Sequence, residues 1–183
     1  PYTRGGKNLD DQDLRALGLL HLIRMLQEMA NPPRYIFLEN VLNFEVSRSR
    51  ARLIEVLAER GYAVKEFLVS PVDPWVNIPN DRLRYYLAAE RVDTVNPTPL
   101  KDDYIIRSLS EVLGPCGDVQ LPPIGDFCRM EEGNDPKYAV PAKYITDYKN
   151  YHHDIANPLK SRSTTFTKAY GSNYIIGTGS FLQ

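Results

Sequence analysis

Two apolar runs, YIFL at residues 35–38 and YAVKEFLVS at 62–70, flank a stretch of different rhythm, SRSRARLIEVLAERG at 47–61. The apolar residues of that middle stretch recur at helical spacing, not in alternation. Ser47 stands where a helix wants an N-cap, and Gly61 where a left-handed residue ends one. Strand, helix and strand in this order demand an α/β sheet with helices on its faces. The pattern extends on both sides. LDDQDLRALGLLHLIRMLQEM (9–29) reads as an earlier helix, with Asp10 or Asp11 as its cap and an apolar stripe of Leu14, Leu17, Leu22, Met25 and Met29. The NPP at 31–33 stops it. After a loop from Pro71 to Pro79, RLRYYLAAE (82–90) reads as a further strand. The NPTP at 96–99 marks a boundary, beyond which Pro and Gly are frequent and periodicity is weak. A smaller irregular lobe is expected there, with short strands near Thr164–Ala169 and Tyr174–Ile176.

A chain of 183 residues suffices for one sizeable domain, or a domain with a small lobe. Hydrophobic residues at 43% and charged residues at 25% are ordinary for globular proteins. No apolar run approaches the ~20 residues that span a bilayer, so no membrane partner is expected. Two cysteines, Cys116 and Cys128, make no disulfide framework and fit a reducing interior, cytoplasmic or nuclear. They form no CxxC, and His152-His153-Asp154 lacks a partner at ligand spacing, so no metal is expected. The glycines of YGSNYIIGTGS fit no phosphate loop and serve turns. The chain starts at Pro1 and stops after GTGSFLQ, and is expected to be a piece of a longer protein.

The net charge of −1 hides an uneven distribution. Residues 1–91 are nearly balanced, 92–136 are acidic and 137–183 are basic. The basic tail carries six of the twelve tyrosines. Cations interleaved with aromatic rings suit a nucleic acid, which offers phosphates to the one and base faces to the other. A solvated surface with inward-packed tyrosines gives the same composition.

The strand at 34–39 reads as buried, and ends on Glu39 and Asn40. In open α/β sheets the ligand crevice lies at the carboxyl ends of strands. An acid placed there and partly desolvated is prepared to exchange a proton with a substrate nitrogen. A strand-end Glu also caps helices or pairs with Arg. Arg82 and Arg84, two apart, would share one face of a strand, with Leu83 and Tyr85 on the other. Paired guanidiniums hold an anion or a base carbonyl, or orient a carboxylate; an exposed edge strand carries them equally well.

The ordered set ENV (39–41) and RLR (82–84) resembles two signature motifs of cytosine-5 methyltransferases. PYTRGGKNLDDQD resembles the loop that follows the family's Pro-Cys-Gln nucleophile motif. YIFLENVLNFEVS, EFLVSP and IPNDRLRYYLAA follow one subfamily, the tRNA-aspartate methyltransferases historically called DNA methyltransferase two. TFTKAYGSNYIIGTGSFLQ resembles that subfamily's Cys-Phe-Thr stretch. The resemblance covers residues 1 to about 91 and about 163 to 183.

This resemblance implies a partial Rossmann-like methyltransferase domain at 1–93, using S-adenosylmethionine, and a target-recognition lobe at 94–183. It implies that Glu39 hydrogen-bonds or protonates N3 of a cytosine under attack at C6, that Arg84 meets the base's O2 and that Arg82 orients the network. Asn40, Thr3 and Arg4 would contact the flipped base, and Lys168 and Tyr170 the nucleic acid. The implied partner is tRNA, at the anticodon loop of tRNA-Asp, with DNA as the alternative. A catalytically silent nucleic-acid-binding piece is a reading of another class. The family's nucleophilic Cys would fall two residues before Pro1 and its cofactor-binding residues outside the chain, so residues 1–183 alone are expected to be inactive. Two positions depart from the subfamily: Thr165 stands where Cys is usual, and Asp81 where a small Ser is common, beside the arginines.

Overall fold

The computed structural model describes residues 1–2, 9–92, 104–129, 135–142, 154–167 and 179–182. They form two compact units, residues 1–69 with 83–111, and residues 70–82 with 112–183. In chain order the regular elements are α1 (Leu17–Glu28), β1 (Tyr35–Val41), α2 (Arg48–Glu59), β2 (Tyr62–Val69), β3 (Asn80–Asp81), β4 (Arg84–Arg91), β5 (Ile105–Ile106), α3 (Ser110–Leu113), β6 (Ile155–Ala156), β7 (Ser163–Thr164) and β8 (Phe181–Leu182).

The division does not follow the boundary expected after residue 93. Residues beyond it stay with the first unit because β5 extends that unit's sheet. Residues 70–82 leave it because β3 pairs with β7. The NPTP turn at 96–99 lies outside the described residues.

The sheet of the first unit has the order β1-β4-β2-β5. Strand β4 runs antiparallel to both β1 and β2, and β5 runs parallel to β2. The β1–α2–β2 crossover foreseen from the sequence is thus present, with β4 inserted between its two strands. Its helix is capped as expected: Ser47 Oγ accepts from Arg50 N at 3.0 Å, and Gly61 closes it at φ +75°. Alternate residues of β4, Tyr85, Leu87 and Ala89, turn into a core with Leu53, Val56 and Leu57 of α2, Ile23 and Leu26 of α1, and Phe44. Phe44 is fully buried, edge-on to Tyr2 and to Tyr85 with centroids 5.0 Å apart in each case.

Three local expectations are corrected. Asp10 and Asp11 do not cap α1. Asp10 reaches across to α2, where its carboxylate accepts from Arg48 N at 2.6 Å and Ser49 Oγ at 2.9 Å, and Asp11 pairs with Arg48. Those bonds hold Asp10 at φ +51°, a conformation costly for a residue with a Cβ. Asp13 instead accepts from Arg15 N ahead of α1. The stripe Leu14, Leu17, Leu22, Met25 and Met29 faces outward, while Ile23 and Leu26 enter the core. The helix is apolar on both sides, so spacing alone could not choose between them. Strand β1 is not buried on both faces: Ile36 and Leu38 pack on the core, whereas Tyr35 and Phe37 are 63% and 70% exposed. It lies at the end of the sheet order and runs two residues past Glu39.

The second unit rests on short parallel pairs, β3 with β7 and β6 with β8. Among its described residues the buried side chains are the polar Asp73, Ser163 and Ser180 and the apolar Pro79, Ile124 and Ala156. In the 71–79 loop the Trp75 indole donates to the Gly114 carbonyl at 3.0 Å. Gly125 approaches the Pro158 carbonyl so closely that a Cβ would stand 3.1 Å from it. Of the strand expected near Thr164–Ala169 only Thr164 is in one, as part of β7, and 165–167 are not in a strand; 168–169 and Tyr174–Ile176 lie outside the described residues.

Candidate active site

The antiparallel register of β1 and β4 creates the site. Glu39 lies opposite Tyr86, and Val41 opposite Arg84. Residues 35, 37 and 39 of β1 and 84, 86 and 88 of β4 therefore share the sheet face turned away from the core. Diagonal neighbours on such a face are within reach of long side chains. Arg84 uses that reach: its Nε stands 3.4 Å from Glu39 Oε1, and its Nη1 donates to the Leu83 carbonyl at 2.8 Å. The guanidinium is largely buried, with 16% of the side chain exposed, against 48% for Glu39. Phe37 and Tyr86 stack beside the pair with centroids 5.9 Å apart. Because β1 and β4 run oppositely, the carboxyl end of one and the amino end of the other meet at the same edge.

The sequence-derived residues fall into three groups. Glu39 and Arg84 come together. The burial expected for Glu39 is not supplied by these residues, since half its side chain meets solvent. Asn40 points to the opposite face, and its Oδ1 accepts from Val41 N at 2.8 Å. Arg82 is not on the strand with Arg84. Strand β4 begins at Arg84, and Arg82 belongs to the second unit, its N–H donating to Ser70 Oγ at 2.9 Å. The two arginines thus do not form one strand face, because the chain leaves the first sheet for the β3–β7 pair before β4 starts. Thr3, Arg4, Lys168 and Tyr170 lie outside the described residues. Sequence reasoning missed Phe37 and Tyr86 as neighbours of the acid; the alternation that joins 37 to 39 and 84 to 86 was the signal.

The departure at Asp81 takes a definite form. Its carboxylate pairs with Arg162 and accepts from Ser70 Oγ at 3.3 Å, so it is not left facing the RLR arginines alone.

Behind the sheet, on the core side, Tyr85 is fully buried and donates its hydroxyl to Glu66 Oε1. Arg50 of α2 grips the same carboxylate with Nε at 2.8 Å and Nη2 at 2.6 Å. Burial, and then the hydrogen bond to Glu66, push the Tyr85 phenol well above its ordinary value. The residue after Arg84 is therefore fixed to both α2 and β2.

Among the described residues, no cluster of His, Cys, Asp and Glu is suited to a metal ion, and no helix is long and apolar enough to cross a membrane. The apolar cleft between α1 and β1, lined by Leu22, Met25, Met29, Ile36 and Phe37 among others, offers no carboxylate for a ribose or an amino group.

No family model matches the chain. It is 37% identical over 180 residues to the tRNA (cytosine(38)-C(5))-methyltransferase of Spodoptera frugiperda, covering 98% of this chain and 50% of that protein. It is 37% identical over 215 residues to a DNA (cytosine-5)-methyltransferase of Dictyostelium discoideum, covering all of this chain and 56% of that one. The crystal structure of a Spodoptera frugiperda DNMT2 mutant superposes with a TM-score of 0.71 over 100% of this chain and 51% of its own, at 37% identity. The S. pombe Dnmt2 methyltransferase does so with a TM-score of 0.74 over 92% of this chain and 50% of its own, at 26% identity. The chain spans about half the length of the curated relatives it matches. Sequence relatives and solved neighbours alike are C5-cytosine methyltransferases, and this chain has the mixed α/β fold of about half of one.

Proposed function

We propose that the whole protein transfers a methyl group from S-adenosylmethionine to C5 of a cytosine in the anticodon loop of tRNA-Asp, and that Glu39 and Arg84 are this chain's share of the chemistry. The observation that carries the reading is the Glu39–Arg84 contact on the open face at the carboxyl end of β1. Addition of a nucleophile at C6 of cytosine drives negative charge into the ring toward N3 and O2. Glu39 would hydrogen-bond or give a proton at N3, and Arg84 would meet O2, so both act where charge develops. The half-exposed carboxylate leaves room for a base to approach it. Arg84, anchored at the Leu83 carbonyl, orients it. Phe37 and Tyr86 add aromatic surface beside the acid, suited to a base taken out of its stack. The methyl donor would be held by residues other than those described.

The tRNA substrate is supported by the activity for which the Spodoptera relative is named, and DNA as the alternative by that of the Dictyostelium relative. The 1–93 and 94–183 roles, catalytic part and target-recognition lobe, belong to the same proposal, as does a cytoplasmic or nuclear location. A basic, tyrosine-rich tail suits the unpaired bases of an RNA loop.

The test is Glu39→Gln in the whole protein, with saturating tRNA-Asp transcript. The fold is retained because shape hardly changes, and kcat falls by about a hundredfold or more, the scale of a lost acid–base group. Near-normal turnover would return Glu39 to the role of a cross-strand ion-pair partner. Methylation of the transcript and of a cytosine-rich duplex, compared at equal salt, distinguishes RNA from DNA.

A further inference from the structure

The corner of the sheet that carries Glu39 and Arg84 is the place where its strands run out. Strand β1 ends at Val41, β2 ends at Val69, and β4 begins at Arg84. Arg84 therefore stands on the terminal rung of both ladders, opposite Val41 on one side and Val69 on the other. Ends of elements open most readily, so the ladder alone holds this residue weakly. The next rung inward is held by side chains. Tyr85 turns to the core, and its hydroxyl donates to Glu66 Oε1, two residues along β2 from its ladder partner Leu68. Arg50 of α2 takes both oxygens of that carboxylate, Nε on Oε1 at 2.8 Å and Nη2 on Oε2 at 2.6 Å. The Tyr85 ring lies edge-on to Phe44, which follows β1. The residue beside Arg84 is thus tied to β2, to α2 and to the segment after β1, all within the first unit.

We propose that Tyr85, Glu66 and Arg50 are positioning residues for Arg84, pinning the start of β4 so that the guanidinium stays in contact with Glu39; the inference rests on the reading of Glu39 and Arg84 as the acting pair. Stability alone does not account for a polar group in this place. The Arg50 and Glu66 side chains are 12% and 9% exposed, and a buried ion pair of this kind is often replaced by well-packed apolar residues at no loss of stability. A diagonal bond between β4 and β2, held from α2, supplies what apolar packing does not, a fixed position along the strand. Without it the first residue of β4 would be free to open while Leu87 and Ala89 stayed in the core.

The experiment is Tyr85→Phe in the whole protein, which removes the hydroxyl and keeps the ring against Phe44. In crystals of the variant, Arg84 Nε should no longer lie within 4 Å of the Glu39 carboxylate, against 3.4 Å here. A pair still in contact overturns the proposal whatever the activity. In single-turnover methylation of tRNA-Asp transcript, the rate should fall about tenfold with transcript affinity unchanged, below the ~10²-fold that a 1 Å misplacement can cost. The same substitution in an Arg84→Lys background, which keeps a cation without the guanidinium fork, should cost less than about twofold. Equal losses in the two backgrounds would mean that the hydroxyl acts on the fold at large, and would overturn positioning through Arg84. Wild-type rates in Tyr85→Phe, or a change confined to transcript affinity, would do the same. Wild-type activity, measured first, separates the two proposals. A protein that methylates no cytosine overturns the functional reading and leaves the crystal contact to decide the positioning, whereas an active wild type with equal losses overturns the positioning alone.

Discussion

The two units are stabilised by different means. In the first, a four-stranded sheet and two helices enclose Phe44, Leu57, Tyr85 and Leu87 with almost no exposure, and its main buried polar group, Glu66, is met by Arg50 and Tyr85. In the second, the strands are two residues long, and the described buried side chains are as often polar, the hydrogen-bonded Asp73, Ser163 and Ser180, as apolar, Pro79, Ile124 and Ala156. Apolar burial is non-directional and scales with area. Hydrogen bonds contribute little each but fix geometry. The first unit is therefore built to be stable, and the second to place particular atoms.

That contrast can be broken most severely at Phe44. Phe44→Ala should lower stability by about 4 kcal/mol, within the ~3–5 found for buried aromatic truncations, while Ile124→Ala in the second unit should cost only about 2. Urea midpoints of the two variants measure the difference, and equal losses would erase the distinction. Next comes Arg50→Met, which leaves the Glu66 carboxylate buried with Tyr85 as its remaining described partner. A loss of about 3 kcal/mol is expected for a buried charge deprived of its counter-ion. Ser163→Ala should cost about 1–2 kcal/mol, because it removes the hydroxyl shared by Asn80 and Pro79. A larger loss there would mean that the second unit depends on its polar links for stability as well as for position.

The smallest effect at neutral pH is expected from Tyr85→Phe, about 1 kcal/mol for one hydrogen bond. Its value lies in the alkaline limb. The folded state holds the Tyr85 proton to higher pH than the unfolded chain does, so above about pH 10 the unfolded state binds fewer protons and stability falls as pH rises. Below that pH the contribution is fully present. Tyr85→Phe should flatten this alkaline decline, and an unchanged slope would show that other groups govern it.

Much of the first unit was legible because its signals are local. The Ser47 cap, the Gly61 stop and the β1–α2–β2 order are each set by a few adjacent residues. What was not legible depends on distant partners. Nothing near Asp10 announces that it will bond the start of α2 from 38 residues away. Helix α1 is apolar on two sides, and the choice of Ile23 and Leu26 for the core was made by the sheet. Glu39 and Arg84 could be named as candidates, but their meeting needed the β1–β4 register. Arg82 was misplaced because alternation was carried two residues too far, across the point where the chain changes units.

The β1–β4 register also decides which changes of length this gene could tolerate. A strand carries a parity, and Glu39 reaches Arg84 only because both occupy the same one. A single codon gained or lost inside either strand would send the acid and the guanidinium to opposite faces while leaving composition untouched. The same codon gained in the turn at 42–43 or in the loop at 71–79 changes no parity. Comparison of naturally varying forms should therefore find length differences concentrated in those connections, with the spacing from Tyr35 to Val41 and from Arg84 to Arg91 left whole.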